Sequence, residues 1–215
     1  QRGNVKVVMT YDTLENGSEV MRLLKQELPK IERLWGALPY KELIISIGQY
    51  GITVGGNRGI VIGTDYSNDI RDALRYELTH QYIAGGPIWI SEGLVLFVET
   101  NYGNRIECKS PNAEAIASKV DGIPLSKIRS VYGDKNYWPE AFAGCLLFRG
   151  IEDIVGDGAV LKILPSIHHE VDNVHPVQRG RKLKELILRN TPEALRNVVS
   201  DIYESRVFGI ATDSR

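Results

Sequence analysis

At 215 residues the chain suits one domain and is long enough to bury a real core. Its 43% hydrophobic and 25% charged residues are those of an ordinary globular protein, and 26 basic against 27 acidic side chains leave a formal charge of −1. That balance, with no Lys/Arg run, excludes a nucleic-acid footprint. No apolar run is long enough to span a bilayer, since the nearest, Ile88 to Val98, is interrupted by Ser91 and Glu92. Cys108 and Cys145 are the only cysteines and imply neither a disulfide framework nor a Cys-based zinc site. The chain opens on Gln1 instead of Met, as a processed product or an excised portion does.

The first element expected is a strand in "NVKVVMTYD". A helix follows in "SEVMRLLKQELPKIERLWGAL", where Val20, Leu23, Leu24, Leu28, Ile31, Leu34 and Trp35 fall at helical spacing and Pro29 should kink or split it. Two short strands come next, "KELIISIG" and "GIVIG", with "GGNRG" between them. That turn has neither the spacing nor the Lys of a phosphate-binding loop, so it reads as a hairpin. From Asn68 onward the pattern is almost all helix. The later helices are expected over Pro139 to Val155, Gly158 to Ile167, Gly180 to Arg189 and Pro192 to Arg206, the last capped by Thr191. This order predicts a single α+β domain over 1–215. It has a sheet lobe, 1–67, and a mainly helical lobe, 68–215.

The chemistry concentrates in "ALRYELTHQYIAGGPIWISEGLVLFVE", Ala73 to Glu99. At about 100° per residue, Tyr76, Glu77 and His80 share one helical face. "AGGP" stops that helix and restarts another. The second helix brings Glu92 into an apolar run of Ile88, Trp89, Ile90, Leu94, Val95, Leu96 and Phe97. A carboxylate there needs a partner, because an unpaired buried charge is costly. A cation between His80 and Glu92 would be one such partner. Alone, Glu-x-x-His also fits an exposed helix with solvated side chains, and Glu92 also fits an exposed helix start favoured by the macrodipole.

At these residues the segment "YELTHQYIAGGPIWISEGL" resembles the active-site segment of the gluzincin zinc peptidases, in particular the compact, thermolysin-like minigluzincin type. Their HExxH helix is followed by a helix carrying W-x-S-E-G-L. The order of elements from Val5 to Val98 is similar as well, and "DKNYWPEAFAGCLLFRGIEDIVG" resembles the helix that follows in such proteins. The resemblance implies zinc as cofactor, Glu77 as general base, and His80 and Glu92 as the second and third zinc ligands. Tyr137 would steady the transition-state oxyanion. Gly59, Ile60, Val61 and Ile62 would form the edge strand along which a peptide pairs by its main chain.

The departure is Tyr76, which stands where the family has its first zinc-ligating histidine. Catalytic zinc normally has three protein ligands and a water. A phenol is neutral at pH 7 unless a metal displaces its proton, and it is longer than an imidazole. With His80, Glu92 and a reluctant Tyr76, zinc is expected to be held weakly or not at all. Without the ion, Glu77 has no acidified water to deprotonate. The three remaining histidines, His168, His169 and His175, sit in "SIHHEVDNVHPV". They read as a polar loop that could lend an imidazole or form a separate metal site, or simply be solvated. Two functions follow. One is a pseudo-peptidase that binds a peptide or protein segment without cutting it. The other is a working zinc peptidase with Glu77 as base.

Overall fold

The computed structural model describes residues 5–50, 54–56, 58–64, 69–83, 85–102, 107–156 and 158–210. The fold is α+β, and the chain divides into two compact units, Gln1–Ala84 and Gly85–Arg215. The motif helix therefore belongs with the sheet. The expected lobe boundary at 67/68 and Asn57 of the expected hairpin turn lie outside the described residues.

The first unit runs β1 (Lys6–Tyr11), α1 (Leu14–Trp35), β2 (Glu42–Gly48), β3 (Val54–Gly56), β4 (Gly59–Gly63) and α2 (Ile70–Thr79). The sheet order is β1-β2-β4-β3, with β1, β2 and β4 parallel and β3 antiparallel to β4. Period-2 alternation buries Leu43, Ile45 and Ile47 of β2 and Ile60 and Ile62 of β4, while Ile44 points out. Buried residues of this kind contribute about 1.5–3 kcal/mol each. The helix α1 buries Val20, Leu23, Leu24, Ile31 and Trp35. It is not split at Pro29: the helix runs unbroken for 22 residues, with buried Leu24 and Ile31 on either side of the missing donor.

A hairpin is present, but it joins β3 to β4, with Gly56 registered to Gly59 and Arg58 at φ 67°, and not β2 to β4, which run parallel. It corrects the place expected of "GIVIG". β4 is not an edge strand: Gly59 pairs with Ile44 and Gly56, Ile60 with Ile45 and Gly55, and Val61 with Ser46 and Val54. The hairpin folds β3 over that edge, so the main chain of Gly59, Ile60 and Val61 is already spent. Ile62 pairs with Ile47.

The second unit contains α3 (Ile88–Tyr102), α4 (Pro111–Ala117), α5 (Tyr137–Val155), α6 (Leu164–Ile167), α7 (Pro176–Asn190) and α8 (Arg196–Tyr203). Every residue of α3 from Trp89 to Thr100 is buried, and its main partner is α5. The two helices approach until their backbones touch. A Cβ on Gly144 would lie 2.0 Å from the Trp89 carbonyl oxygen, and one on Gly93 would lie 3.0 Å from the Gly144 backbone. Around this crossing, Trp89, Phe97, Phe148 and Tyr203 form an aromatic core. The expectation that Trp89, Leu94 and Phe97 are core residues holds at 1%, 0% and 1% exposure.

Three local readings of this unit are corrected. Cys108 and Cys145, 37 apart in sequence, form a disulfide with Cα atoms 6.2 Å apart. Counting cysteines could not show that two distant ones meet. The Cys108 backbone is held on both sides, its N–H by the Thr100 hydroxyl and its carbonyl by Arg149. Thr191 closes α7 instead of opening the next helix, donating its hydroxyl to the Ile187 carbonyl. Finally, "HHEVD" is not a loop but a π-helical turn, His168–Asp172, that continues α6.

Candidate functional site

In the first unit, α2 is set by local caps and by ties to α1 and β4. Asp69 caps the helix, accepting from the N–H groups of Arg71 (2.8 Å) and Asp72 (3.2 Å). Ala73, Leu74 and Leu78 anchor one face in the core. Buried Glu27 of α1 accepts from Lys30 (2.9 Å) and Arg71 (3.3 Å), which ties α1 to α2. Glu77 and His80 are buried, at 6% and 8% exposure, and Tyr76 is half-buried. Tyr76 and His80 do share a face: their rings meet edge-on, with centroids 5.1 Å apart.

The helix ends at Thr79, one residue before His80 and earlier than the glycines predicted. His80 is its C-cap, and the Gln81 and Tyr82 N–H groups bond three residues back in a tightened last turn. Side chains take up the freed carbonyls. Thr79 Oγ1 donates to Arg75 O (3.0 Å), and Gln81 Nε2 donates to Glu77 O (3.2 Å) and across to Gly59 O of β4 (3.3 Å). Tyr82 stacks on Trp35 (5.7 Å) and donates to Gly36 O (3.1 Å), so the turn is fixed to α1 as well.

In the second unit, the start of α3 is built by distant residues. Gly85 and Gly86 have φ of 74° and 95°, the left-handed region that favours glycine. Arg179 of α7, only 9% exposed, holds this turn. It donates to Gly85 O (2.7 Å), Asp172 O (2.8 Å) and Val174 O (3.3 Å) and pairs with the Asp172 carboxylate (2.8 Å). Glu92 is buried at 9% exposure, and Tyr137, the first residue of α5, donates its hydroxyl to Glu92 Oε1 at 2.5 Å. The rings of Tyr132 and Trp138 stand edge-on to Tyr137, at 5.4 and 5.2 Å.

Glu140, three residues after Tyr137 and fully buried, was not singled out in the sequence. Its Oε1 accepts from Trp89 N (3.2 Å) and its Oε2 from Ser130 N (3.4 Å). Burial pushes its carboxyl above the ordinary value, and hydrogen bonds from Ser130, Trp89 and Ile88 partly offset this. The signal that marks Glu92, a single carboxylate in an apolar run, is present in "WPEAFAGCLLF" too. Applied there, it finds Glu140.

His168 and His169 of the π turn and His175 after it have partners close by in sequence. His168 Nδ1 lies 3.6 Å from the Asp172 carboxylate, His169 packs edge-on to His168, and His175 caps α7 by accepting from Val177 N (3.4 Å). Among the described residues no group of three or more His, Cys, Asp or Glu side chains is placed to hold a metal ion. A catalytic zinc normally takes three protein ligands, and the described residues offer no such set of His, Cys, Asp or Glu.

No family model matches the sequence, and no curated protein matches it. Solved structures do. The chain is similar to an M1 zinc metallopeptidase from Deinococcus radiodurans, with 18% identity and a TM-score of 0.62 over 96% of this chain and 49% of that one. It is also similar to a glutamate-to-alanine mutant from the same organism bound to a Tyr-Ser-Ala substrate, at 15% identity and TM-score 0.63 over 94% and 48%. A two-domain M1 zinc metallopeptidase mutant bound to L-arginine matches at 17% identity and TM-score 0.64, again over 94% and 48%. The chain thus has a metallopeptidase-like fold and spans about half the length of these structures.

Proposed function

We propose that this chain is a peptidase scaffold with a degenerate zinc site that binds a peptide or protein segment without hydrolysing it. The observation that carries the reading is Tyr76, which sits on the His80 face of α2 with its ring against the imidazole. The metallopeptidase-like fold supports the scaffold, and one of its structural neighbours holds a Tyr-Ser-Ala substrate. A bound segment would add by main-chain pairing at the β3 end of the sheet, because β4 has partners on both sides. Pairing of that kind needs no metal.

Elemental analysis tests the reading. After dialysis against metal-free buffer the protein should carry well under one equivalent of zinc, and stoichiometric, chelator-resistant zinc would overturn the degenerate site. Tyr76→His should then complete the ligand set. Outer-shell changes alone cost about 10–100-fold in metal affinity, so restoring a direct ligand should tighten zinc by at least about 100-fold. The melting temperature should rise with added zinc. Unchanged zinc affinity in a folded Tyr76→His protein would remove position 76 from the metal.

A further inference from the structure

We propose that Glu140 is a positioning residue: it sets the start of α3 and thereby holds Glu92 against Tyr137. The proposal rests on Glu92 belonging to the candidate site. The observation behind it is a stripe on α5. Tyr137, Glu140 and Gly144 stand at i, i+3 and i+7, one face of a helix. All three meet α3. Tyr137 donates to the Glu92 carboxylate, Glu140 accepts from the Trp89 N–H, and Gly144 lies against the Trp89 carbonyl. The main chain of one residue, Trp89, thus has its donor taken by Glu140 and its carbonyl packed against Gly144.

The start of a helix leaves its first N–H groups without intrahelical partners. In α3, Pro87 O takes the N–H groups of Ile90 and Ser91. That of Trp89 goes to the Glu140 carboxylate. The preceding residues are Gly85, Gly86 and Pro87, so the sequence offers no Ser, Thr, Asp or Asn in the usual capping place. Glu140 supplies from another helix what the chain lacks locally, and the positive end of the α3 dipole favours its charge. Glu92 follows Trp89 by three residues, less than one turn. An axial shift of α3 at Trp89 is therefore a shift of Glu92 by a similar amount, away from the Tyr137 hydroxyl.

The test reads the Tyr137–Glu92 hydrogen bond directly. With tyrosine labelled at 13Cζ, Tyr137→Phe assigns the Tyr137 resonance, and Glu92→Ala gives its position once the bond is lost. Glu140→Ala should move the resonance at least halfway to the Glu92→Ala position. Glu140→Gln keeps an acceptor for Trp89 and should leave it near the parent position. Glu140→Asp keeps the charge but is one methylene too short, and it should behave as Glu140→Ala. This variant serves if the alanine protein does not fold. A resonance unmoved by Glu140→Ala or Glu140→Asp overturns the proposal, as does one unmoved by Glu92→Ala. In the Tyr76→His background, Glu140→Ala should weaken zinc binding about 10-fold and Glu140→Gln should restore most of it. Absence of zinc binding in Tyr76→His itself counts against the functional reading alone, because the 13C result is read in the protein without metal.

Discussion

The two helices that carry the candidate residues, α2 in the first unit and α3 in the second, are built in different ways. Around Tyr76, Glu77 and His80 the helix ends are closed locally, by the cap Asp69 seven residues away and by Thr79 and Gln81 within four residues, while Glu27, Gly36 and Gly59 tie the segment to the rest of its unit. The bonds described around Glu92 are distant ones. Tyr137 is 45 positions away, Glu140 is 51 from the residue it caps, and Arg179 is 94 from Gly85. The first takes its caps from its own segment, and the second takes its supports from α5 and α7. Damage to the first should stay local, and damage to the second should come from residues that look remote in sequence.

The largest effect that could break this contrast is at the helix crossing. Gly144→Ala puts a methyl group into the Trp89 backbone, which has nowhere to go. Overpacking of this kind costs about 3 kcal/mol, a Tm loss of roughly 6–12 °C for a chain of this size. Gly150→Ala, on the same helix with nothing within 4 Å, is the control and should raise Tm by roughly 1–4 °C. Equal melting of the two variants would mean that α3 and α5 do not touch through their backbones.

Asp69→Ala should have a smaller and more confined effect. Loss of this cap costs about 1 kcal/mol. Hydrogen exchange should quicken at Arg71 and Asp72 and leave α3 and α5 unchanged. Spread of the effect into α5 would show that damage to α2 does not stay within its own unit.

The smallest effect concerns pH. Because burial holds the Glu140 carboxyl above its ordinary value, ionisation is disfavoured in the folded protein. The stability it contributes is fully present below the ordinary carboxylate range and is lost as pH rises through the raised value. Glu140→Gln cannot ionise. Its Tm relative to the parent should be level in acid and move in the variant's favour as pH rises past 4.5. A difference independent of pH would place the carboxyl at its ordinary value.

This contrast also explains what could be read in advance. Periodicity gave α1, the strands and the shared face of Tyr76 and His80, because those follow from spacing along one element. It found Glu92 through the cost of burying a lone carboxylate, and the structure supplies a partner, Tyr137. It missed the role of Glu140, the Arg179 tether and the cysteine pair, since each depends on which elements become neighbours. It also put β4 at the sheet edge, because the three-residue strand β3 has too short a pattern to announce itself.

The Cys108–Cys145 disulfide carries a further consequence. Closing a loop of this length restricts the unfolded chain by on the order of 4 kcal/mol, a sizeable part of the stability of any domain. The helical unit therefore has two stabilities, one for each oxidation state. Where thiols are kept reduced it must do without that share. Both cysteines are buried, at 1% and 0% exposure, so a reductant has to wait for the helices to part before it can attack. The rate at which mild reductant opens the bond is then a clock for the breathing of α5 and, through it, of the helix that carries Glu92.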